Sequence, residues 1–344
     1  MADWSIDVLS RSGGSTIEAA TAFRSARVTW SLDGPGSIDL TLRTEDVVGG
    51  PWLAGQRRIR VNRLATPWWC GFQTNLARSG RPSDIRYSAA GLGLVTALRR
   101  RVVHTAFYVS DDSDEIAWDL IAHAQAQTNG NEGFTKGTTT GTPAVRNRYY
   151  CEGDNIFDAI SSLAERKVKG FDWEIDALGA FNVWIGGRGT DLSGTYTLTE
   201  GDTIDWAVEE DSADMLTYAT AFGKQGPAGH CDEVWVTRNT TLATTYGRSE
   251  EVMELTDVEA TAELDDAADD LLRSRGAARR RLRIAWLDGR GLWDFGAVWL
   301  GDVVSAALDT AFGGTQDMRL ISVSVSLEPG QWAFVEHEFE TQDV

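Results

Sequence analysis

The sequence is poor in several features that would fix its chemistry at once. It has three cysteines, and Cys70, Cys151 and Cys231 stand far apart with no CxxC pair. An odd, scattered set gives no disulfide framework and reads as free thiols in a reducing compartment. Its four histidines are His104, His123, His230 and His337, with no HExxH and no pair at short spacing. His230 adjoins Cys231, so in a strand the two side chains point apart. His337 lies between Glu336 and Glu338 and is expected on a solvated edge. No apolar run reaches the ~18 residues of a membrane helix. Trp4, Asp7 and the polar run 11–16 interrupt any apolar leader, so neither a membrane span nor a signal peptide is expected. Positive charge is scarce: 32 Lys and Arg face 51 Asp and Glu, a formal net charge of −19. Phosphate binding needs cations, which excludes a general nucleic-acid binder but not a local basic path.

Phosphate loops and metal loops are missing too. Gly186-Gly187-Arg188-Gly189 and Gly289-Arg290-Gly291 match neither GxGxxG opening a helix nor GK[ST], and both read as surface turns. There is no DxDxDG calcium loop. No catalytic residue, cofactor, cofactor-binding residue or metal ligand is assigned from these patterns.

What the chain does have is short strands, aromatics and arginine runs. In residues 1–102, Ile38, Leu40 and Leu42 alternate with Asp39, Thr41 and Arg43, the period of a half-buried strand. Ile59 and Val61 repeat this around Arg60. Beyond residue 103 the period changes. Asp112 or Ser113 can cap a helix carrying Ile116, Trp118, Leu120 and Ile121. Residues 127–142 read as a loop. Asp154 can cap a second helix, with Ile156, Ala159, Ile160 and Leu163 at i, i+3, i+4 and i+7 on one face. Phe171-Trp173-Ile175 and Phe181-Val183-Ile185 flank Gly179 as a hairpin. Residues 103–195 therefore read as an α+β unit.

Residues 196–344 return to strands, with a helix at 256–275. Thr256 and Glu259 form a candidate capping box for it. Leu264, Ala267, Ala268, Leu271 and Leu272 are its apolar stripe, and Asp265, Asp266, Asp269 and Asp270 its solvated face. The most regular strand is the run 320–327, with Ile321, Val323, Val325 and Leu327 expected inside and Ser322, Ser324 and Ser326 opposite.

Fourteen tryptophans suit sheets, interfaces or sugar surfaces. Trp68-Trp69 puts one ring on each side of a strand, and Trp293, Phe295 and Trp299 surround Gly296. Core or protein contact is the expected use; a ladder of exposed rings would instead stack on sugars. Arg58 and Arg60 share a face, and Arg280 and Arg281 belong to the strongest basic run. Beside so many acids, these arginines are expected to pair with carboxylates across a domain or subunit contact. Trp68, Trp69, Arg58, Arg60, Trp293, Phe295, Trp299, Arg280 and Arg281 are thus the candidate interface residues.

The order of five segments resembles the baseplate-hub or minor tail proteins of long-tailed bacteriophages, especially those of actinobacteria. They are Trp30-Ser31-Leu32-Asp33-Gly34-Pro35-Gly36, Trp69-Cys70-Gly71-Phe72, Glu200-Gly201-Asp202-Thr203, Ser249-Glu250-Glu251-Val252 and the run 292–304 from Leu292 to Val304. The resemblance implies a mainly β fold with α+β parts: two small β-barrel domains, 1–102 and 196–344, separated by the α+β domain 103–195, with the helical insertion in the second barrel. It also implies a structural virion protein of the distal tail hub, joining tail tube to tip or baseplate and continuing the DNA channel. A homotrimer is expected, meeting tube, tape measure, tip and fibre proteins, with DNA only as passing cargo. Location at the virion tail tip follows, after assembly in the host cytoplasm. A gene transfer agent could use the same part. The competing readings are a carbohydrate-binding tail module for host attachment and a glycan hydrolase. The second needs two carboxyl groups at workable separation, and no local motif supplies them.

Overall fold

The structure, a computed structural model, describes residues 4–12, 16–20, 23–32, 34–42, 57–81, 84–104, 106–165, 170–199, 201, 205–223, 235–241, 243–255, 261–276, 279–307 and 314–341. His230, Cys231, Thr256 and Glu259 lie outside these residues.

The chain opens with seven strands: β1 (Trp4–Leu9), β2 (Thr16–Ala20), β3 (Phe23–Ser31), β4 (Ser37–Leu42), β5 (Arg58–Arg63), β6 (Thr66–Arg81) and β7 (Asp84–Gly93). A 3-10 helix, Leu94–Arg100, leads into the α+β segment. That segment comprises β8 (Ala106–Asp112), α1 (Ser113–Ala126), β9 (Thr135–Thr140), β10 (Val145–Tyr150), α2 (Ile156–Ala164), β11 (Phe171–Ile175) and β12 (Ala180–Ile185). Next come β13 (Thr197–Leu198), β14 (Asp205–Asp211), β15 (Tyr218–Phe222), β16 (Trp235–Asn239), α3 (Ala243–Tyr246), β17 (Glu250–Glu254) and α4 (Thr261–Arg275). The last strands are β18 (Arg279–Leu287), β19 (Val303–Ala306), β20 (Gln316–Leu327) and β21 (Phe334–Thr341).

The two-barrel expectation is overturned. Strands from both ends of the chain join one 13-stranded sheet, in the order β14-β18-β21-β20-β3-β4-β7-β6-β5-β1-β2, with β19 and β13 branching from β20. Among the described residues no sheet closes into a barrel. The splice is β20. Along one edge its first half pairs with β19, as Val303 opposite Arg319, and its second half pairs with β3, as Val323 opposite Trp30. The physical reason is a shared core. Ile6, Val28, Trp30, Ile38 and Ile59 pack in one cluster with Leu282, Ile284, Trp286, Val323 and Val325. Burying such a side chain contributes about 1.5–3 kcal/mol, so two separate small cores would leave apolar faces that this arrangement covers.

The strand 320–327 departs from its expected pattern at one point. Val323, Val325 and Leu327 are buried, as expected, but Ile321 is half-buried and Leu320 is fully buried. The register against β21 shifts between Leu320 and Ser322. A bulge adds one residue and flips the inward phase, so Met318 and Leu320 face the core before it and odd-numbered residues after it.

The α+β segment has its own core, in which Ile116, Leu120, Ile121, Ile156, Ala159, Ile160 and Leu163 are buried. All four stripe residues of α2 lie inside, as their spacing requires. Its cap is Asn155 rather than Asp154: the Asn155 side chain accepts from the Phe157 and Asp158 amides, while Asp154 accepts from the Cys151 amide. Residues 127–142 do not form a plain loop, because β9 pairs parallel with β12, extending the β11–β12 hairpin. A separate small sheet, β16-β15-β17, packs on α4 through Leu216, Ala219 and Ala221 against Leu264, Ala268 and Leu271.

His337 is not on a solvated edge. It is 1 % exposed, and its ring stacks on Trp286 with centroids 4.3 Å apart. Val335, His337 and Phe339 share the inward face of β21, while Glu336 and Glu338 point the other way. Burial pushes the imidazole down to about 3, and neither ring nitrogen has a hydrogen-bond partner among the described residues.

Candidate functional site

Three of the aromatic residues singled out in the sequence, Trp68, Phe295 and Trp299, meet at one place. Phe295 is buried and contacts Trp4, Trp68 and Trp299 edge-to-face, with centroids 5.4, 5.0 and 5.5 Å away. Trp68 and Trp299 are half-buried and meet edge-to-face at 4.9 Å. Trp30 Nε1 donates to the Trp68 carbonyl at 2.7 Å, fixing the strand that carries both tryptophans. Trp69 does not take the opposite side expected of it: it is buried in the same core cluster that Trp68 packs against, because the register against β5 shifts there and leaves Trp68 as an extra residue. Trp293 is buried against Trp286. These rings are engaged with one another inside the chain and form no ladder of exposed faces.

The arginines divide into two groups. Arg58 is buried, with its guanidinium over the Phe72 and Phe134 rings at 5.0 and 5.7 Å and donating to the Glu132 carbonyl. Burial lowers its pKa from the ordinary guanidinium value. It ties the segment before β9 to the main sheet. Arg60 donates to Asp7 on neighbouring β1 at 2.7 Å. Arg280 donates to Glu210 at 2.9 Å, and Arg281 sits between Glu209 of β14 and Glu340 of β21 in register. Arg283 lies 3.6 Å from Glu338. The basic run therefore meets carboxylates of its own sheet, and opposite charges across β14, β18 and β21 favour that register.

A cavity of about 770 Å³ opens where the three packed units meet. Trp68 and Trp299 line it from the main sheet, Trp173 and Arg188 from the α+β unit, and Met253 and Leu271 from the small third unit. Ion pairs hold its wall. Arg319 of β20 pairs with Asp172 of β11, and Arg188 Nη1 donates to Glu174 at 2.5 Å. Burial raises the Glu174 pKa, and Arg188 opposes that rise. The Gly-rich turn noted in the sequence is the other part of this junction. A Cβ on Gly189 would stand 2.1 Å from the Gly301 carbonyl carbon, and one on Gly301 would stand 2.3 Å from the Arg188 carbonyl oxygen. Both glycines have positive φ, 104° and 91°. The two turns touch backbone to backbone, which only glycine permits.

The surface feature that sequence reasoning missed is the two-stranded antiparallel sheet formed by β8 and β10, which the chain joins through α1 and β9. Phe107, Val109, Val145 and Tyr149 are 69, 55, 60 and 57 % exposed. They share its outward face; Tyr149 is opposite Phe107, and their rings meet edge-to-face. The inward face carries Tyr108, hydrogen-bonded to Asp119 of α1 at 2.7 Å, and buried Tyr150. Solvent-facing sides of antiparallel sheets are usually polar, so this one is an unsatisfied apolar patch. The signal was legible: Phe107 and Val109, then Val145 and Tyr149, alternate as inward-facing strands do. Among the described residues no group of three or more His, Cys, Asp or Glu side chains is placed to hold a metal ion. Cys70 is buried, and burial pushes its thiol up to about 11; Cys151 is exposed.

The fold, an open sheet built from both chain ends with an α+β unit between them, is similar to that of solved phage-type tail proteins. A tail protein from Neisseria meningitidis MC58 matches with a TM-score of 0.72 at 14 % identity, over 98 % of this chain and 97 % of that one. The 43 kDa tail protein of prophage MuSo2 from Shewanella oneidensis matches with 0.72 at 13 % identity, over 98 % of both chains. Prophage tail protein gp18 from Listeria monocytogenes EGD-e matches with 0.62 at 11 % identity, over 98 % and 95 %. No family model matches the sequence, and no curated protein matches it.

Proposed function

We propose that this chain is a structural subunit of a phage-type tail, forming the hub at the distal end of the tail tube as a homotrimer. The observation that carries this reading is the end-to-end correspondence with two solved tail proteins, each covered over at least 97 % of its length. The protein acts by assembly, joining tube proteins on one side to tip or fibre proteins on the other, with DNA passing through. Its net charge of −19 suits a channel part that must not retain DNA, because like charge repels the phosphate backbone. The outward face of the β8–β10 sheet around Phe107 and Tyr149 supports a protein contact, and in this reading it is buried against a second copy. Among the residues expected at such contacts, Arg60, Trp68, Trp299, Arg280 and Arg281 keep partial exposure. Immunogold labelling of intact particles with antibody to this chain tests the placement. Label confined to the distal tail end is expected; label along the tube or on the head would contradict it.

A further inference from the structure

We propose that His104 and His123 form a chelating site for a divalent transition cation of the Zn²⁺, Ni²⁺ or Cu²⁺ class. The two residues are remote in sequence, but their ring centroids lie 5.8 Å apart at an interplanar angle of 50°. Metal–imidazole bonds of ~2.0–2.1 Å put each ring centroid roughly 3.2 Å from a bound ion, so two rings sharing one ion stand roughly 5–6 Å apart. The observed separation falls within that range.

Both residues sit on held elements. The Val103 amide donates to the Asp154 carbonyl at 2.8 Å and the Gly153 amide to the Val103 carbonyl at 3.0 Å, pinning the backbone next to His104. His123 lies in the last turn of α1, whose opposite face carries buried Ile121 and Ala124. The ring of His104 is also oriented. Its Nδ1 lies 3.3 Å from the Glu152 carboxylate, which can only accept, so the proton sits on Nδ1 and Nε2 keeps its lone pair. A carboxylate behind a histidine is the arrangement that fixes tautomer and ring angle in metal sites. At His123, the Gln127 amide nitrogen is 3.4 Å from Nε2 and competes for that lone pair. His104 is 45 % exposed and His123 is exposed, so an ion reaches the pair from solvent and water fills its other positions. Two imidazoles with no added oxygen ligand select borderline cations over Mg²⁺ or Ca²⁺.

Isothermal titration of the full chain with NiCl₂, and with MgCl₂ as control, tests this. A Cys151→Ser background removes the exposed thiol from the reckoning. One micromolar Ni²⁺ site and no Mg²⁺ binding are expected. His104→Ala and His123→Ala should each weaken Ni²⁺ binding by at least tenfold. Glu152→Gln should weaken it roughly tenfold through the ring it orients. Gln127→Ala should tighten it by freeing His123. Circular dichroism reports that each variant is folded, as expected for exposed side chains. Absence of Ni²⁺ binding below millimolar in the parent chain, or unchanged affinity in either folded His variant, would overturn the site.

Discussion

The α+β unit and the main sheet solve the same burial problem in opposite ways. The unit closes on itself: α1, α2 and the β11–β12 hairpin bury a core drawn mainly from residues 94–185. The main sheet closes through the most distant parts of the chain, and Thr29 and Ser324, 295 positions apart, hydrogen-bond at 2.9 Å across β3 and β20. Local closure writes its pattern into a short window, whereas long-range closure writes only half of it at each end. A perturbation inside the unit should stay there, and one at β20 should be felt from β2 to β14.

The strongest test of that difference is Val323→Asp. Val323 is fully buried on β20 opposite Trp30 and His337. An unpaired carboxylate there is expected to cost about 3–5 kcal/mol and to prevent a folded sheet. Ser324→Asp changes the outer face instead. The carboxylate can still accept from Thr29 but faces Glu336 across the ladder, a like-charge pair, so about 1 kcal/mol is expected. Urea unfolding followed by circular dichroism measures both, and equal losses would break the one-sided reading of β20.

Ile160→Ala sharpens the other side of the comparison. The side chain is fully buried in α2, and truncation should cost about 2–5 kcal/mol. Hydrogen exchange should accelerate in α1, α2, β11 and β12 while the main-sheet amides keep their protection. Loss of protection in β3 and β20 would show that the two cores unfold as one.

The third prediction concerns pH. His337 is neutral in the folded protein, with its pKa near 3, while the unfolded chain takes up a proton below the ordinary value of 6.5. Its contribution is therefore fully present above pH 6.5 and is lost progressively as pH falls toward 3. The slope approaches about 1.4 kcal/mol per pH unit within that window. His337→Phe removes a proton-binding site from the unfolded state and keeps the ring on Trp286. The variant's stability should depend less on pH between 6.5 and 4.5, and parallel profiles would contradict the assignment. The smallest effect is expected from Arg280→Ala, which removes a partly exposed pair with Glu210 and should cost at most about 1 kcal/mol by urea midpoint.

The same contrast explains what the sequence revealed. Ile156, Ala159, Ile160 and Leu163 announced the inner face of α2 because their neighbours along the helix are also their neighbours in space. Val323, Val325 and Leu327 announced a buried face but not its partner, and nothing in that window names Trp30 or Val28. Two barrels were the reading of strands whose pairing partners could not be seen. The bulge at Ile321 was hidden for the same reason, since it exists only relative to β21. His337 was misread by its acidic neighbours, although alternation with Val335 and Phe339 already placed it inside. Of the candidate interface residues, the sequence brought together only Phe295 and Trp299 of the group around Phe295; Trp68 and Trp4 join it from remote strands, and Trp293 packs on Trp286 instead. That this group is engaged within one chain, while Phe107 and Tyr149 stand outward, depends on three-dimensional packing.

The most direct measurement of the central claim is an averaged cryo-electron microscopy reconstruction of the tail tip of particles carrying this chain. The account predicts three copies around the tail axis, each with β20 paired to β3 in a single open sheet and the Phe107–Tyr149 face covered by a neighbouring copy. Six or twelve copies in one ring, or density for this chain away from the distal end of the tube, would contradict it.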